Sequence, residues 1–343
     1  MSAGLKVRVP GLHTTVQDIG RPGYQAIGVP MSGALDGMSL WLANALVGNP
    51  SGAPALEVLI NGPTLEVAAD TVRVALAGAG ASLVVGAEKT RVEAGQSVTL
   101  PRGEIVEVVV GRQSASCYLA AEGGIAVPSV LGSASTYVRA ALGGLDGRAL
   151  RSGDLVPLAM ACASERPELR LSSPMEATGD QPIRVVLGPQ QEYFTEEAVA
   201  ALLGGEFRIS SSADRMGMRL DGPVLQLSRG WDIVSDAIVT GAIQVPGSGQ
   251  PILLLADHQT TGGYPKIATV VSADLPVVGR RRPGEALRFI AVTVEAAEQL
   301  CRAAERDLAD LVAALEPVTQ RPGIDLGSLY DGNLISGVVS GLD

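Results

Sequence analysis

Short apolar runs recur along the chain at the length of β-strands, and Gly or Pro residues bound most of them. Examples are residues 72–77, 105–110, 118–121, 184–187 and 252–255. Residues 7–9 and 71–74 also alternate between apolar and polar positions, as half-buried strands do. Many short strands separated by turns predict a mainly β protein with a few helices, built as barrels or sandwiches.

Three segments instead predict helices. Residues 38–47 follow Asp36, a cap or turn residue, and end near Gly48. Residues 196–203 follow Thr195 and stop at a Gly pair. The longest helix is expected at about 293–315, with an apolar stripe at three- and four-residue spacing. The stripe comprises Ala297, Leu300, Cys301, Ala304, Leu308, Leu311 and Leu315.

The stretch 237–256 contains no charged residue, and its length would nominally suffice to cross a bilayer. Gly241, Pro246, Gly249 and Pro251 interrupt it, so the stretch predicts two buried strands joined by a turn. Residues 1–10 lack the apolar core of a signal peptide. We therefore expect a cytoplasmic protein with no membrane contact.

A shift in composition near residues 159–182 divides the chain. This segment is rich in Ser, Pro and Glu, which is typical of a linker. We predict a first subdomain at 1–160, a linker at 161–182, a second subdomain at 183–320 and a C-terminal tail at 321–343.

Composition excludes several classes of function. The net charge is −10, and no run of Lys or Arg exceeds the triplet at 280–282, so a nucleic-acid-binding surface is not indicated. The three cysteines are far apart, which excludes a CxxC motif and predicts buried free thiols. With only two histidines, a His-rich metal cluster is also excluded, and we expect no metal site.

The segment 253–266 carries the most suggestive chemistry. An apolar strand runs into consecutive hydrogen-bonding side chains, then a Gly pair, an aromatic residue and a lysine. The candidate site residues here are Asp257, Gln259, Thr260, Thr261, Gly262, Gly263, Tyr264 and Lys266. The glycines would let backbone amides approach a ligand, and the lysine could stabilise a developing oxyanion. The alternative is a polar turn capped by its own side chains.

Two further segments place charges beside irregular backbone. Asp18, Arg21 and Asp36 lie among glycines near the N-terminus, where Asp18 and Arg21 could form an ion pair or contact a substrate. Asn44 and Glu57 belong to the same polar set. Arg215, which follows Asp214, could bind an anion or form a salt-bridged turn.

These motifs together resemble a known family. The chain contains TTVQDIGRPGY, SGALD, LANALVGN, GAIQVP and QTTGGYPKIA in the family's order. They resemble the biotin-dependent carboxyltransferase family, also called allophanate hydrolase subunit 2, over roughly residues 5–318. The resemblance implies two cyclophilin-like β-barrel subdomains. It also implies a smaller partner, of the type of the 5-oxoprolinase B subunit or of allophanate hydrolase subunit 1.

The family includes three kinds of activity. One is an ATP-dependent 5-oxoprolinase complex, which converts 5-oxo-L-proline to L-glutamate and has a C subunit from this family. The second transfers a carboxyl group from biotin to urea, and the third is a regulator that antagonises an inhibitor of a sensor kinase. We favour 5-oxoprolinase because the sequence contains no biotin carboxylase or biotin-carrier region.

The resemblance suggests roles for the candidate residues. We assign Lys266 and the Gly262 and Gly263 amides to polarise a carbonyl, Asp36 or Asp257 to orient or deprotonate an N–H group, and Tyr264 to cover the ligand. The family often has Arg where this chain has His258, which leaves the role of that position open. No phosphate-binding loop is recognisable, so ATP would be bound on or between partner subunits.

Overall fold

The computed structural model describes residues 3–175 and 179–318, so the predicted tail at 321–343 lies outside the described residues. The protein is mainly β with a few helices, which confirms the predicted fold class. The helices are α1 (Gly37–Leu46), α2 (Glu196–Gly204), α3 (Leu275–Gly279) and α4 (Val294–Ala313). No described helix is both long enough and apolar enough to cross a membrane.

Eleven strands lie within residues 3–160 and the rest follow. They are β1 (Gly4–Val9), β2 (His13–Gln17), β3 (Ala55–Leu59), β4 (Thr64–Val67), β5 (Thr71–Ala77), β6 (Ser82–Val85), β7 (Thr90–Glu93), β8 (Gln96–Pro101), β9 (Ile105–Val109), β10 (Ser116–Ala121), β11 (Leu155–Pro157), β12 (Leu169–Arg170), β13 (Ile183–Leu187), β14 (Phe207–Ile209), β15 (Gly217–Asp221), β16 (Asp236–Ala237), β17 (Ala242–Gln244), β18 (Ile252–Leu254), β19 (Thr261–Gly262), β20 (Lys266–Val270), β21 (Ala286–Leu287), β22 (Phe289–Ala291) and β23 (Glu316–Pro317).

The first half of the molecule, residues 3–160, is built on two sheets, and the larger one also includes β12 and β23 from outside this range. One has the order β11-β1-β4-β9-β6-β7 and the other β2-β3-β10-β5-β8-β12-β23. Strand β10 is buried along its whole length because its two faces meet different cores. Leu119 packs between the sheets, whereas Tyr118 and Ala120 pack beneath α1. This double burial explains why β10 is apolar from Cys117 to Ala121 instead of alternating.

Helix α1 begins where the sequence predicts. Asp36 caps it by accepting a hydrogen bond from the Ser39 backbone N–H at 3.0 Å. Leu40, Ala43 and Leu46 are buried against the outer face of the seven-stranded sheet. The helix therefore holds Asp36 at the edge of this sheet, close to the second half of the molecule.

The second half, residues 183–318, contains an eight-stranded sheet in the order β21-β14-β15-β18-β17-β20-β13-β22. Strands β17 and β18 pair antiparallel, which confirms the prediction of two strands joined by a turn within 237–256. Strands β13 and β22 pair in parallel. The segment expected to be a linker contributes the short strand β12, which pairs with β8 of the first half.

Helix α4 is confirmed, but its apolar stripe is less buried than expected. Leu308 is buried, whereas Leu311 remains 42% exposed. The expectation of buried thiols is wrong for Cys162, which is exposed, and holds for Cys117. Burial strongly raises the pKa of the Cys117 thiol. Cys301 is half-buried on α4.

The two halves meet through closely packed backbone. The Ala115 N–H donates to the carbonyl of Arg280 at 2.7 Å, and the Ser32 N–H donates to that of Ala256 at 3.0 Å. At Gly279 a Cβ atom would lie only 2.4 Å from the carbonyl oxygen of Leu35. Glycine is therefore needed for the end of α3 to reach the segment before α1.

Candidate functional site

The Arg215 guanidinium lies buried at the junction between the halves. Its Nε and Nη2 atoms donate to the Asp257 carboxylate at 2.9 and 3.2 Å. Its Nη1 atom pairs with Glu57 of the first half, and Nη2 also donates to the carbonyl of Gly33 at 2.6 Å. One arginine thus binds groups from both halves, a geometry that favours Arg over Lys.

Asp36 belongs to the same arrangement. Its carboxylate accepts from Arg280 Nε at 2.6 Å and Nη2 at 3.2 Å, and Ser39 donates to it as well. The Tyr118 hydroxyl donates to Glu57 at 2.5 Å and accepts from the Asp36 N–H at 2.9 Å. We call these six residues the junction network: Asp36, Glu57, Tyr118, Arg215, Asp257 and Arg280.

Charge pairing controls the electrostatics of this network. Burial alone would lower the pKa of Arg215, but the carboxylates of Glu57 and Asp257 outweigh it, so that the net pKa is raised. Burial and the neighbouring carboxylates raise the pKa of Tyr118 well above its usual range. Arg215 and Tyr118 therefore stay protonated, and the two arginines of the network pair with its three carboxylates.

Asp18 and Arg21 lie beside the network without pairing with each other. Asp18 accepts from the Ser133 hydroxyl at 2.6 Å and the Ala134 N–H at 2.6 Å. Arg21 is fully buried and donates through Nη2 to the carbonyl of Ser135. Among the described residues its Nε and Nη1 atoms have no partner. Burial lowers the pKa of this guanidinium.

Asn44 has a structural set of contacts. Its Nδ2 atom donates to the carbonyl of Ala53 at 2.8 Å, and its Oδ1 atom accepts from Asn49 at 2.9 Å. These bonds fix the loop between α1 and β3. Substrate binding by Asn44 stays a prediction.

Lys266 lies at the start of β20, after the loop that follows Asp257 of the junction network. Its side chain is only 4% exposed, and Nζ donates to Asp236 at 2.6 Å and to the carbonyl of Ala237 at 3.0 Å. The Lys266 hydrogen bond, the largest cause, lowers the pKa of Asp236. An ammonium group has three donors, so these two contacts leave one N–H for a further acceptor.

Three glutamines are linked to this lysine, one by direct contact, one as its partner in the β17–β20 pairing and one through that partner. Gln190 accepts from the Lys266 backbone N–H at 3.1 Å and donates to Asp236 at 3.2 Å. Gln259 donates to the Gln244 side chain at 3.3 Å. We call these five residues the lysine cluster: Gln190, Asp236, Gln244, Gln259 and Lys266. It combines one cation with several amide donors and acceptors.

A strap formed by residues 231–239 covers the predicted glycine pair. Strand β16 in the strap pairs with β19, and the Ile233 N–H donates to the carbonyl of Gly263 at 2.8 Å. At Gly262 a Cβ atom would lie 2.6 Å from both Gln244 and Ile238. Glycine at 262 thus makes room for the strap and for Gln244.

The remaining predicted residues border the strap. The carbonyl of Thr260 accepts from the Ile238 N–H at 3.1 Å, and Thr261 pairs with Ala237. Tyr264 is 37% exposed, and its ring centroid lies 6.2 Å from that of Trp231 in the strap.

His258 lies in the sequence between Asp257 of the junction network and Gln259 of the lysine cluster. Its Nδ1 atom lies 2.6 Å from the carbonyl oxygen of Gln259, which can only accept, so this nitrogen carries the proton. Burial lowers the pKa of the imidazole. His258 is therefore a neutral side chain that fixes the loop between Asp257 and Gln259.

Five of the predicted residues thus fall into the two groups. Asp36, Asp257 and Arg215 join in the junction network, whereas Gln259 and Lys266 join in the lysine cluster. Sequence reasoning missed Gln190, Asp236, Gln244, Tyr118 and Arg280. The sequence signal for the strap was Trp231, an aromatic residue placed between Arg229 and Asp232, and in the structure it is 53% exposed. Within residues 3–175 and 179–318, no cluster of acidic, His or Cys residues could hold a metal ion.

This geometry can be compared with known proteins. The family model described as carboxyltransferase domain, subdomain A and B, matches residues 27–291. The chain belongs to this carboxyltransferase family. The junction network and the lysine cluster both fall within the matched residues, whereas Asp18 and Arg21 precede them.

Relatives in the carboxyltransferase family are named as enzyme subunits or as whole enzymes. The C subunit of 5-oxoprolinase from Escherichia coli strain K12 is 37% identical over 299 residues, covering 85% of this chain and 93% of that protein. The urea amidolyase of Lachancea kluyveri is 32% identical over 86% of this chain but only 17% of its own length.

Solved structures of the family have the same fold. The crystal structure of the K. lactis urea amidolyase superposes with a TM-score of 0.83 and 29% identity, covering 90% of this chain and 20% of that one. That of the Kluyveromyces lactis urea carboxylase gives a TM-score of 0.82 and 30% identity, covering 90% and 29%. These superpositions confirm the mainly β, barrel-containing fold, and the division into two cyclophilin-like subdomains stays a prediction.

Proposed function

We propose that this chain is a subunit of an ATP-dependent 5-oxoprolinase, which opens 5-oxo-L-proline to L-glutamate. The observation that carries this proposal is the match in length. The chain aligns with 93% of the E. coli 5-oxoprolinase C subunit, whereas it aligns with only 17% of the L. kluyveri urea amidolyase. A smaller partner of the 5-oxoprolinase B type would complete the complex.

The lysine cluster is the part of the site that suits a lactam. A lactam presents one carbonyl acceptor and one N–H donor, and the cluster offers groups of both kinds. The remaining Lys266 N–H would bind the carbonyl oxygen and stabilise the negative charge that develops when the ring opens. Gln244 and Gln259 would bind the amide edge, and Tyr264 would cover the ring.

Asp236 is a better candidate than Asp36 or Asp257 for the carboxylate beside the substrate. Both oxygens of Asp36 and of Asp257 are occupied by arginine donors in the junction network. Asp236 is 48% exposed and touches Lys266 directly. We propose that Asp36 and Asp257 hold the two halves together and position the loop that carries the lysine cluster.

Cofactor use follows from the same proposal. ATP would be consumed by the complex, with its phosphate site on or between the partner subunits.

The test is reconstitution of the complex from this chain and its candidate partner subunits. We expect glutamate release and ADP formation that depend on 5-oxo-L-proline and stop when this chain is omitted. Lys266→Ala should lower turnover by about 10²–10³-fold, whereas Lys89→Ala, at an exposed position on the other half, should not. A folded complex with no 5-oxoproline-dependent ATP hydrolysis would overturn the proposal.

Carboxyl transfer from biotin to a urea-type substrate is a second candidate. The close superposition on the K. lactis urea amidolyase favours it. The ureido ring of biotin carries a carbonyl and N–H groups like those of a lactam, so the lysine cluster suits both substrates. Urea-dependent consumption of a carboxylated biotin carrier, in place of glutamate release, would support this candidate.

A further inference from the structure

A cavity of about 340 Å³ lies between the two halves, beside Arg215 and Asp257, and none of the lysine cluster lines it. The first half contributes Leu12, Ile60 and Val138 to its walls, and the second half contributes Met216. Its volume falls at the lower end of the range for small-molecule sites.

The mouth of the cavity is unusually apolar for a protein surface. Leu12 is 66% exposed, Ile60 48% and Val138 42%. Neighbouring large apolar side chains that face solvent together often mark a binding site. The backbone supports this view at Ile60, whose φ of 65° is rare for a β-branched residue. Such local strain is common where a binding surface is shaped.

The polar part of the lining carries balanced charges. Arg215 is paired with Asp257 at the base, and Arg139 lies 3.5 Å from Asp214 across the two halves. Two cations therefore face two anions. A charged ligand would add an unpaired charge to this cavity and would also lose its own hydration. An uncharged ligand is therefore favoured.

His13 supplies a free hydrogen-bonding group. His13 is one of the residues that line the cavity, and its buried Nδ1 atom has no partner among the described residues. Burial lowers the pKa of the imidazole, with Glu57, Arg215 and Asp257 as the charged groups around it. A neutral imidazole has one donor and one acceptor, and rotation about its Cβ–Cγ bond can turn either nitrogen toward a ligand.

We propose that this junction pocket binds an uncharged, mainly apolar small molecule that carries one hydrogen-bonding group for His13. The site is separate from the lysine cluster and does not depend on the proposed oxoprolinase activity. A ligand here touches both halves at once, beside the Arg215–Asp257 pair. Its binding therefore stabilises the packing of the halves.

The chain has only two histidines, so NMR of the His Cε1–H groups tests the proposal directly. Indole, an uncharged probe with one N–H donor, should shift the His13 signal and leave that of His258 unchanged. The carboxylate indole-3-acetate and the cation tryptamine should each bind at least about tenfold more weakly than indole. Tighter binding of either charged probe would overturn the proposed ligand class.

Variants at the mouth locate the binding. Val138→Trp should block the cavity and weaken indole binding by about tenfold or more. Val9→Trp is the matched control, since Val9 is a 52% exposed valine that does not line the cavity. Leu12→Asp provides a second test at a position exposed enough to tolerate the change. Unchanged indole affinity in both mouth variants, or equal shifts of His13 and His258, would refute the site.

Discussion

The junction network and the lysine cluster each bury a cation, but the carboxylates that pair with the two cations differ in their solvent exposure. Arg215 pairs with Glu57 and Asp257, whose side chains are 0% and 7% exposed. Lys266 is equally buried, yet its partner Asp236 is 48% exposed and belongs to a strap over the site. The network therefore has no group free for a ligand, whereas the cluster can exchange a protein contact for a substrate contact.

This difference separates structural from chemical roles. A buried charge whose partners are also buried cannot be released without a large desolvation penalty. A lysine held by a half-exposed carboxylate can change partners because water replaces the lysine at the carboxylate. Perturbing the two cations should thus affect different properties of the protein.

The largest expected effect follows from Arg215→Met. The substitution keeps most of the side-chain volume but leaves the carboxylates of Glu57 and Asp257 buried without their cation. We expect the free energy of unfolding, measured by urea denaturation, to fall by about 3–5 kcal/mol. Arg91→Met is the control, because Arg91 is 55% exposed and pairs with an exposed Glu93. An Arg215→Met protein as stable as this control would contradict a structural role for the network.

The double variant Glu57→Gln with Arg215→Met sharpens this result. It removes one of the two uncompensated carboxylate charges, so it should recover part of the stability lost in the single variant. If the two substitutions destabilise additively, Glu57 and Arg215 do not act as a pair.

Lys266→Met should show the opposite pattern. Loss of the ammonium group removes the donor proposed to bind the carbonyl oxygen, so turnover of the reconstituted complex should fall by about 10²–10³-fold. Its stability should fall less than that of Arg215→Met, because Asp236 becomes hydrated. Lys89→Met serves as the control. A Lys266→Met enzyme with full activity would move the reacting carbonyl away from this cluster.

The sequence predicted the elements of both regions better than their connections. Asp36 was expected as a cap of the first helix, and its bond to Ser39 confirms this. The strands flanking the 237–256 turn were also found, because apolar runs between Gly and Pro are local signals.

The partners of the charged residues could not be read from the chain. Arg215 and Glu57 lie 158 positions apart, and only the docking of the two halves brings them together. Asp236 reaches Lys266 because a two-residue strand in the strap pairs with Thr261 and Gly262. Such long-range pairing leaves no periodic trace in the sequence. The polar residues at 257–266 were visible, but their division into two groups was not.

The smallest expected effect is the pH dependence of stability, and it probes the residue between the two regions. Burial lowers the pKa of His258 in the folded protein below the usual value of about 6.5, as it does for His13. As the pH falls through 6.5, the unfolded chain therefore takes up protons before the native protein does. The free energy of unfolding should decrease from pH 7 downward until the pH passes below the native pKa values.

Substitutions distinguish the contributions of the two histidines to this pH dependence of stability. His258→Gln should flatten the slope of stability between about pH 7 and 5, and adding His13→Gln should flatten it further. Carboxylates with lowered pKa, such as Asp236, lose their contribution only at more acidic pH, so they do not mask the effect. A slope that persists in the double variant would mean that another group titrates there. A slope abolished by His258→Gln alone would show that the loop joining the network to the cluster is the part of the molecule that excludes the charged imidazole.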